Sequence, residues 1–397
     1  MENINTAVSR RSTLRLAAAG AVSTLLPYRV AIGARTKVRV GLLLPKSGTY
    51  AQLGQAITNG IALKFAEMGE RLGGREIEVI AVDSEAKAAK ATENTTKLIN
   101  QEKVDFLVGP VHSGVAMAMV KIAREEGAIT IVPNAGADQV TGPLCAPNIF
   151  RTSFSNWQPG HPLGKILMDE GKKNVVVCYW DYAAGKQMVQ GFKDGFLPLG
   201  GQIIKEIAVT FPQVEFQAAL TEIASLKPDA VYVFYAGGGA IKFVKDWHAA
   251  GLTGIELVGP GFLTEGVLDA EGEAAEGLRT TLHYADSLDL PANKTFRAAY
   301  KAKFGIEADV YAVQGYDAGE LIRAGMEAVQ GDTGARDELL TAISGAEFAS
   351  PRGPFKLSAA HNPIQNIYLR QVQGGENIVV NVAEAALSDP AKGCRLN

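Results

Sequence analysis

The chain has 397 residues, 47% hydrophobic and 20% charged, the balance of a globular protein too long for one compact core, so two domains are expected. Its formal net charge of -3 offers no basic stripe to nucleic acid and no polybasic patch to a membrane. The five histidines and three cysteines fall in no metal-binding spacing, so neither a metal nor a cofactor is expected.

The first segment reads as an address. Ser9-Arg10-Arg11 precedes the apolar, small-residue run Leu16 to Leu26, with no acid between Arg10 and Arg35. This is the pattern of an export signal over residues 1–34, and the arginine pair points to the twin-arginine route. The run is too short to persist as a membrane anchor, and a free periplasmic protein is expected. In that oxidising compartment, Cys178 lies inside an apolar strand and reads as a buried small hydrophobe. Cys145, in a loop, and Cys394, in the tail, are expected to pair and staple the C-terminus to the first domain.

Val38 to Leu44 is a continuous apolar strand, and a helix follows from about Gln55 to Arg71 with Ile57, Ile61, Leu63 and Phe65 toward the core. Gly73-Gly74 turns the chain into the strand Ile77 to Val82, and Ser84 is expected to cap a helix running to Gln101. Asp105 to Ala137 then reads as two successive strand-to-helix units, with strands Phe106 to Val108 and Ala128 to Val132 around a helix that stops at Gly127. In open α/β sheets ligands bind beyond the carboxyl ends of the strands, where helix starts point unpaired N–H groups into the crevice. Ser113 offers a hydroxyl at one such start, and Asn134, Ala135 and Gly136 offer close-lying backbone N–H groups at the next. Together they form either a seat for one small anion, most simply a carboxylate, or a pair of ordinary tight turns.

Strand and helix alternation with short loops implies a parallel sheet covered on both faces. Asn148 to Trp157 is extended and suits a crossing between domains. A second series of strands follows at Asn174 to Tyr179, Gln202 to Val209, Asp229 to Phe234 and Glu256 to Val258. Leu278 to His283 is another extended run, after which helices from about Asn293 to Phe304 and Val310 to Gln330 are placed to return to the first domain. Alternation in Ile367 to Val372 marks an edge strand. The fold class is therefore α/β, with two Rossmann-like lobes joined by a multiple hinge that closes over a ligand.

Catalytic fingerprints are missing. No G-x-G-x-x-G follows the first strand, and there is no P-loop lysine and no G-x-S-x-G elbow. Ser113 beside His112 has no evident orienting acid. The chain is not expected to be an enzyme.

The stretches VGLLLPKSGTYAQLGQAITNGIALKFAE, VDFLVGPVHSGVAMAMVKIAREEGAITIVPNAGA, IFRTSF and EAAEGL resemble the periplasmic substrate-binding proteins of ABC importers, of the leucine/isoleucine/valine-binding type. The resemblance implies two α/β lobes joined by three crossovers: residues 35–153 with 283–361, residues 154–282 with 362–384, and a tail over 385–397. It also implies delivery of the ligand to an inner-membrane ABC permease by a monomeric receptor. It places the ligand carboxylate at Ser113 and the loop Asn134, Ala135 and Gly136, and on the second lobe it points to Tyr182, Ala236, Gly261 and Phe262. Amino-acid binders of the type carry an acid after Gly-Pro to meet the ligand ammonium, whereas this chain reads Gly259-Pro260-Gly261-Phe262.

An ammonium buried without a counter-charge costs several kcal/mol. The expected ligand is thus a carboxylate with an apolar or aromatic body, as in the aromatic-acid binders the resemblance also reaches, with ring faces from Phe262, Tyr182, Trp157 and Tyr235 and with His112 and Asn134 meeting a ring hydroxyl. Glu265 restores an ammonium partner if its loop bends inward, which would make the protein a receptor for branched-chain amino acids or small amides instead.

Overall fold

The computed structural model describes residues 37–396; the expected export signal lies outside them. The first series comprises β1 (Lys37–Leu44), α1 (Ala51–Glu67), β2 (Arg71–Leu72), β3 (Arg75–Asp83), α2 (Ala88–Thr96), β4 (Phe106–Val108), α3 (Ser113–Glu125), β5 (Ile129–Val132), α4 (Asp138–Thr141) and β6 (Ile149–Arg151). Its strands form a six-stranded sheet in the order β2-β3-β1-β4-β5-β6. All pairings are parallel except the hairpin of β2 with β3. β4 and β5 are wholly buried, as strands covered on both faces must be.

The second series comprises α5 (Trp157–Asp169), β7 (Asn174–Asp181), α6 (Ala183–Phe196), β8 (Gln202–Thr210), α7 (Gln217–Leu226), β9 (Ala230–Phe234), α8 (Gly238–Ala249), β10 (Glu256–Pro260), α9 (Leu268–Glu271) and β11 (Arg279–Leu282). The chain then returns through α10 (Pro291–Phe304), α11 (Val310–Ala328) and α12 (Arg336–Ser344), makes the small hairpin β12 (Phe348–Ser350) with β13 (Gly353–Phe355), and ends in β14 (Gln365–Gln373) and β15 (Glu376–Leu387). α11 packs along α1 of the first series so closely that a Cβ on Gly60 would lie 2.0 Å from the Ala312 carbonyl oxygen. The second sheet has seven strands in the order β15-β14-β11-β10-β9-β7-β8.

Several expectations are corrected. The strand read as an edge, β14, is interior, because the unforeseen β15 pairs outside it. Its inward Arg370 is fully buried beside a carboxylate, so the polar position does not mark solvent. Ser84 does not cap α2, whose N-cap is Lys87; the Ser84 hydroxyl instead accepts the Ala86 N–H within the preceding turn. The first helix starts at Ala51 and stops at Glu67, four residues before Arg71, which joins β2.

Cys145 and Cys394 form a disulfide with Cα atoms 5.6 Å apart, and Cys178 is a buried free thiol.

Candidate functional site

The carboxyl ends of both sheets face one cleft. Ser113 opens α3 directly after β4; Asn134 and Gly136 follow β5; Tyr182 follows β7, Ala236 follows β9 and Phe262 follows β10. These six residues line one cavity, so six of the nine residues singled out from sequence meet in space. The wall is completed by Tyr50, Leu53, Val111, Phe154, Asn156, Ala184, Met188, Phe234 and Tyr311.

The polar groups are concentrated on the side built from the first sheet. Ser113 Oγ accepts a hydrogen bond from Asn156 Nδ2 at 3.2 Å, which leaves the hydroxyl proton free to be donated. Asn134 Nδ2 donates to Gln314 Oε1 at 2.8 Å, spending one of its two amide hydrogens. Asn156 also donates to Gln187 Oε1 at 2.8 Å, while its own Oδ1 and the Tyr311 hydroxyl are buried without a partner. Gly136 is glycine for want of room: a Cβ there would lie 2.2 Å from Asn156 Oδ1. The opposite side is apolar, with Phe262 4.8 Å from Phe154 and 6.5 Å from Phe234 between ring centroids. No carboxylate is among the lining residues.

Three singled-out residues stand behind the wall. His112 is the N-cap of α3: its Nδ1 accepts the N–H groups of Gly114 at 3.1 Å and Val115 at 3.3 Å. Those helix-start donors are therefore spent on the imidazole. The ring is stacked on Tyr182 at 4.8 Å, and burial lowers its pKa to about 4, keeping it neutral. Ala135 gives its N–H to Pro110 O at 3.0 Å. Gly261 faces Arg370, whose Nη2 would be 2.2 Å from an added Cβ. Trp157 and Tyr235 are structural: the indole donates to Asp194, and the Tyr235 hydroxyl contacts Cys178 Sγ at 3.1 Å.

Glu265 does not bend inward. It is 1% exposed, its Oε2 is ion-paired with Arg370 Nη1 at 2.6 Å, and its Oε1 accepts the Val310 N–H at 2.7 Å. Both oxygens are committed, so Glu265 is not free to meet an ammonium in the cleft.

The cleft is shut. Tyr50 Oη and Tyr182 Oη are hydrogen-bonded at 2.8 Å across it, Asp138 N donates to Gln187 Oε1 at 3.0 Å, and the cavity between them is about 30 Å³, room for roughly two waters. A ring enters only when the two sides part. A larger groove of about 880 Å³ runs past Phe348, Arg352 and Ile364. The Arg352 guanidinium there is consumed by Asp317, Gln365 and the carbonyls of Thr152 and Ser153.

Two sheets whose carboxyl ends close on one neutral, ring-lined cavity define a solute receptor of the two-lobed type. The family described as periplasmic binding protein matches residues 37–377, and the chain belongs to that family. A solute-binding protein of an ABC transporter from R. palustris, solved in complex with benzoate, is 56% identical with a TM-score of 0.89, the match covering 91% of this chain and 100% of that one. A second, from Rhodopseudomonas palustris BisB5 in complex with 3,4-dihydroxybenzoic acid, is 33% identical with a TM-score of 0.85 over 89% of this chain and 99% of its own. Among sequence relatives, the Leu/Ile/Val-binding protein homolog 6 of Brucella melitensis is 32% identical, over 84% of this chain and 87% of that protein. Among the described residues no helix is long and apolar enough to cross a membrane.

The lining residues that sequence reasoning missed include Tyr50, Phe154, Asn156, Phe234 and Tyr311. Tyr50 lies in the loop after β1, where the strand-end rule that found Ser113 would have found it too. Asn156 and Tyr311 arrive from a crossing segment and a returning helix, for which no local signal exists.

Proposed function

We propose that this protein is a periplasmic receptor that captures a monocyclic aromatic carboxylate, of the benzoate or hydroxybenzoate kind, and hands it unchanged to an inner-membrane ABC permease. The observation that carries the reading is the composition of the cavity: uncharged donors on one side, rings on the other, no carboxylate in the lining, and Glu265 tied to Arg370. A carboxylate accepts from Ser113 and Asn134 while its ring displaces water from Phe262, Phe234 and Phe154. A zwitterionic amino acid would bury its ammonium unpaired. The benzoate and dihydroxybenzoate complexes of the similar solute-binding proteins support the same ligand class.

The twin-arginine signal over residues 1–34, the monomeric state and the lobe boundaries belong to the same proposal, as does a ligand site of Ser113, Asn134, Gly136, Tyr182, Ala236 and Phe262 backed by His112, Ala135 and Gly261. A ligand that binds only the folded receptor raises its melting temperature. A thermal-shift panel of benzoate, hydroxybenzoates, hydroxycinnamates and leucine is expected to respond to the aromatic acids. A leucine shift with no aromatic-acid shift would replace the reading with the amino-acid receptor.

A further inference from the structure

Glu265 sits where the two halves of the molecule meet. It follows β10 of the second sheet, and its partner Arg370 lies on β14 of the same sheet. The guanidinium is fully buried and is further held by the carbonyls of Tyr284 at 2.8 Å and Gly261 at 3.1 Å. The carboxylate is therefore fixed within its own lobe through one oxygen. The other oxygen reaches out of that lobe and accepts the N–H of Val310 at 2.7 Å. Val310 is the first residue of α11, the helix packed along α1 beside the first sheet.

Helix N-terminal N–H groups have no intrahelical partner, and a negative charge there is favoured by the helix dipole. α11 already has a local cap, Asp309, whose Oδ1 accepts the Ala312 N–H at 2.8 Å. The Val310 N–H is a separate donor that only Glu265 meets. Parting the lobes breaks this bond and returns both groups to water. Closure remakes it in a dry setting, where a charge-assisted bond is stronger.

We propose that Glu265 is the closure latch of this receptor: held by Arg370 in one lobe and capping α11 of the other, it sets ligand affinity without touching ligand. The inference rests on the receptor reading given above. It also accounts for an acid that follows the Gly-Pro turn yet does not enter the cavity. Glu265 is thus a positioning residue whose charge acts on the lobes.

Replacing Glu265 would leave Arg370 buried and unpaired, a change that threatens the fold itself. The test is therefore made on the other partner. Val310→Pro removes the donated N–H along with the buried valine side chain; proline is well tolerated at the first position of a helix, and the preceding Asp309 is extended (φ -118°, ψ -177°), away from the helical region that a following proline disfavours. Val310→Ala keeps the N–H and serves as the side-chain control.

The expected result is a Kd for benzoate roughly tenfold or more weaker in Val310→Pro than in Val310→Ala, with equal melting temperatures for the two ligand-free variants. Equal Kd values would overturn the latch and leave the receptor reading intact. If benzoate binds none of the proteins, the ligand reading fails, and small-angle scattering of the ligand-free variants decides the latch alone: a more open Val310→Pro supports it, and identical profiles overturn it.

Discussion

The two walls of the cleft differ in chemistry. The wall from the first sheet presents hydroxyl and amide donors, Ser113 and Asn134, each oriented by a second amide, Asn156 or Gln314. The wall from the second presents Phe234, Ala236 and Phe262, which offer area and no charge. On the proposed reading, the first would meet the carboxylate common to many ligands, and the second would meet what the carboxylate is attached to. Specificity within such a scaffold changes most easily on the second wall, where one side chain decides between a ring and an ammonium.

The contrast is broken most severely by putting an acid on the apolar wall. Ala236→Asp faces the ligand carboxylate with a like charge in a buried site, and titration calorimetry should show benzoate affinity falling by about 3 kcal/mol or more. Phe262→Ala removes the ring contact and leaves a void, with an expected loss of about 3 kcal/mol. That loss should be similar for benzoate and benzamide, since both lose the same apolar area. Ser113→Ala removes one donor to a charged group and is expected to cost benzoate about 1–3 kcal/mol. Benzamide should be less affected, so the ratio of the two affinities reports which wall was touched.

The smallest effect concerns His112, which supports the donor wall from behind. Its folded pKa is lowered to about 4 by burial, while the unfolded chain takes up a proton near pH 6.5. Stability from the neutral ring is thus present above pH 6.5 and lost as pH falls toward 4. The loss amounts to about 1 kcal/mol between pH 7.5 and 5.5. His112→Asn retains a capping acceptor without the titration, and melting curves across that range should flatten relative to the parent.

Much of this was legible in the chain because local rules held. The run Phe106 to Val108 emerged as β4 over the same residues, and Ser113 opens a helix as its small-residue loop suggested. Asn134 and Gly136 line the cavity because they follow a strand end. The paired cysteines were legible from compartment and position, and their bond is present.

Other features depended on tertiary context. The helix α5 contains Pro159, Gly160, Pro162 and Gly164, which read as breakers, yet the small residues let it press against α6, where a Cβ on Gly195 would lie 2.1 Å from the His161 carbonyl oxygen. Packing here overrides propensity. His112 turns its Nδ1 to the amides of its own helix, a choice that depends on backbone direction and has no signal in the sequence. Glu265 could be counted in the sequence, but its partners Arg370 and Val310 lie 105 and 45 residues away.

The central claim, that an uncharged and ring-lined cleft selects an aromatic carboxylate over an amino acid, is tested most directly by calorimetric titration of the protein with benzoate and with leucine under the same conditions. The account predicts saturable binding of benzoate at one site and no heat of binding from leucine. Tight binding of leucine without binding of benzoate would contradict it.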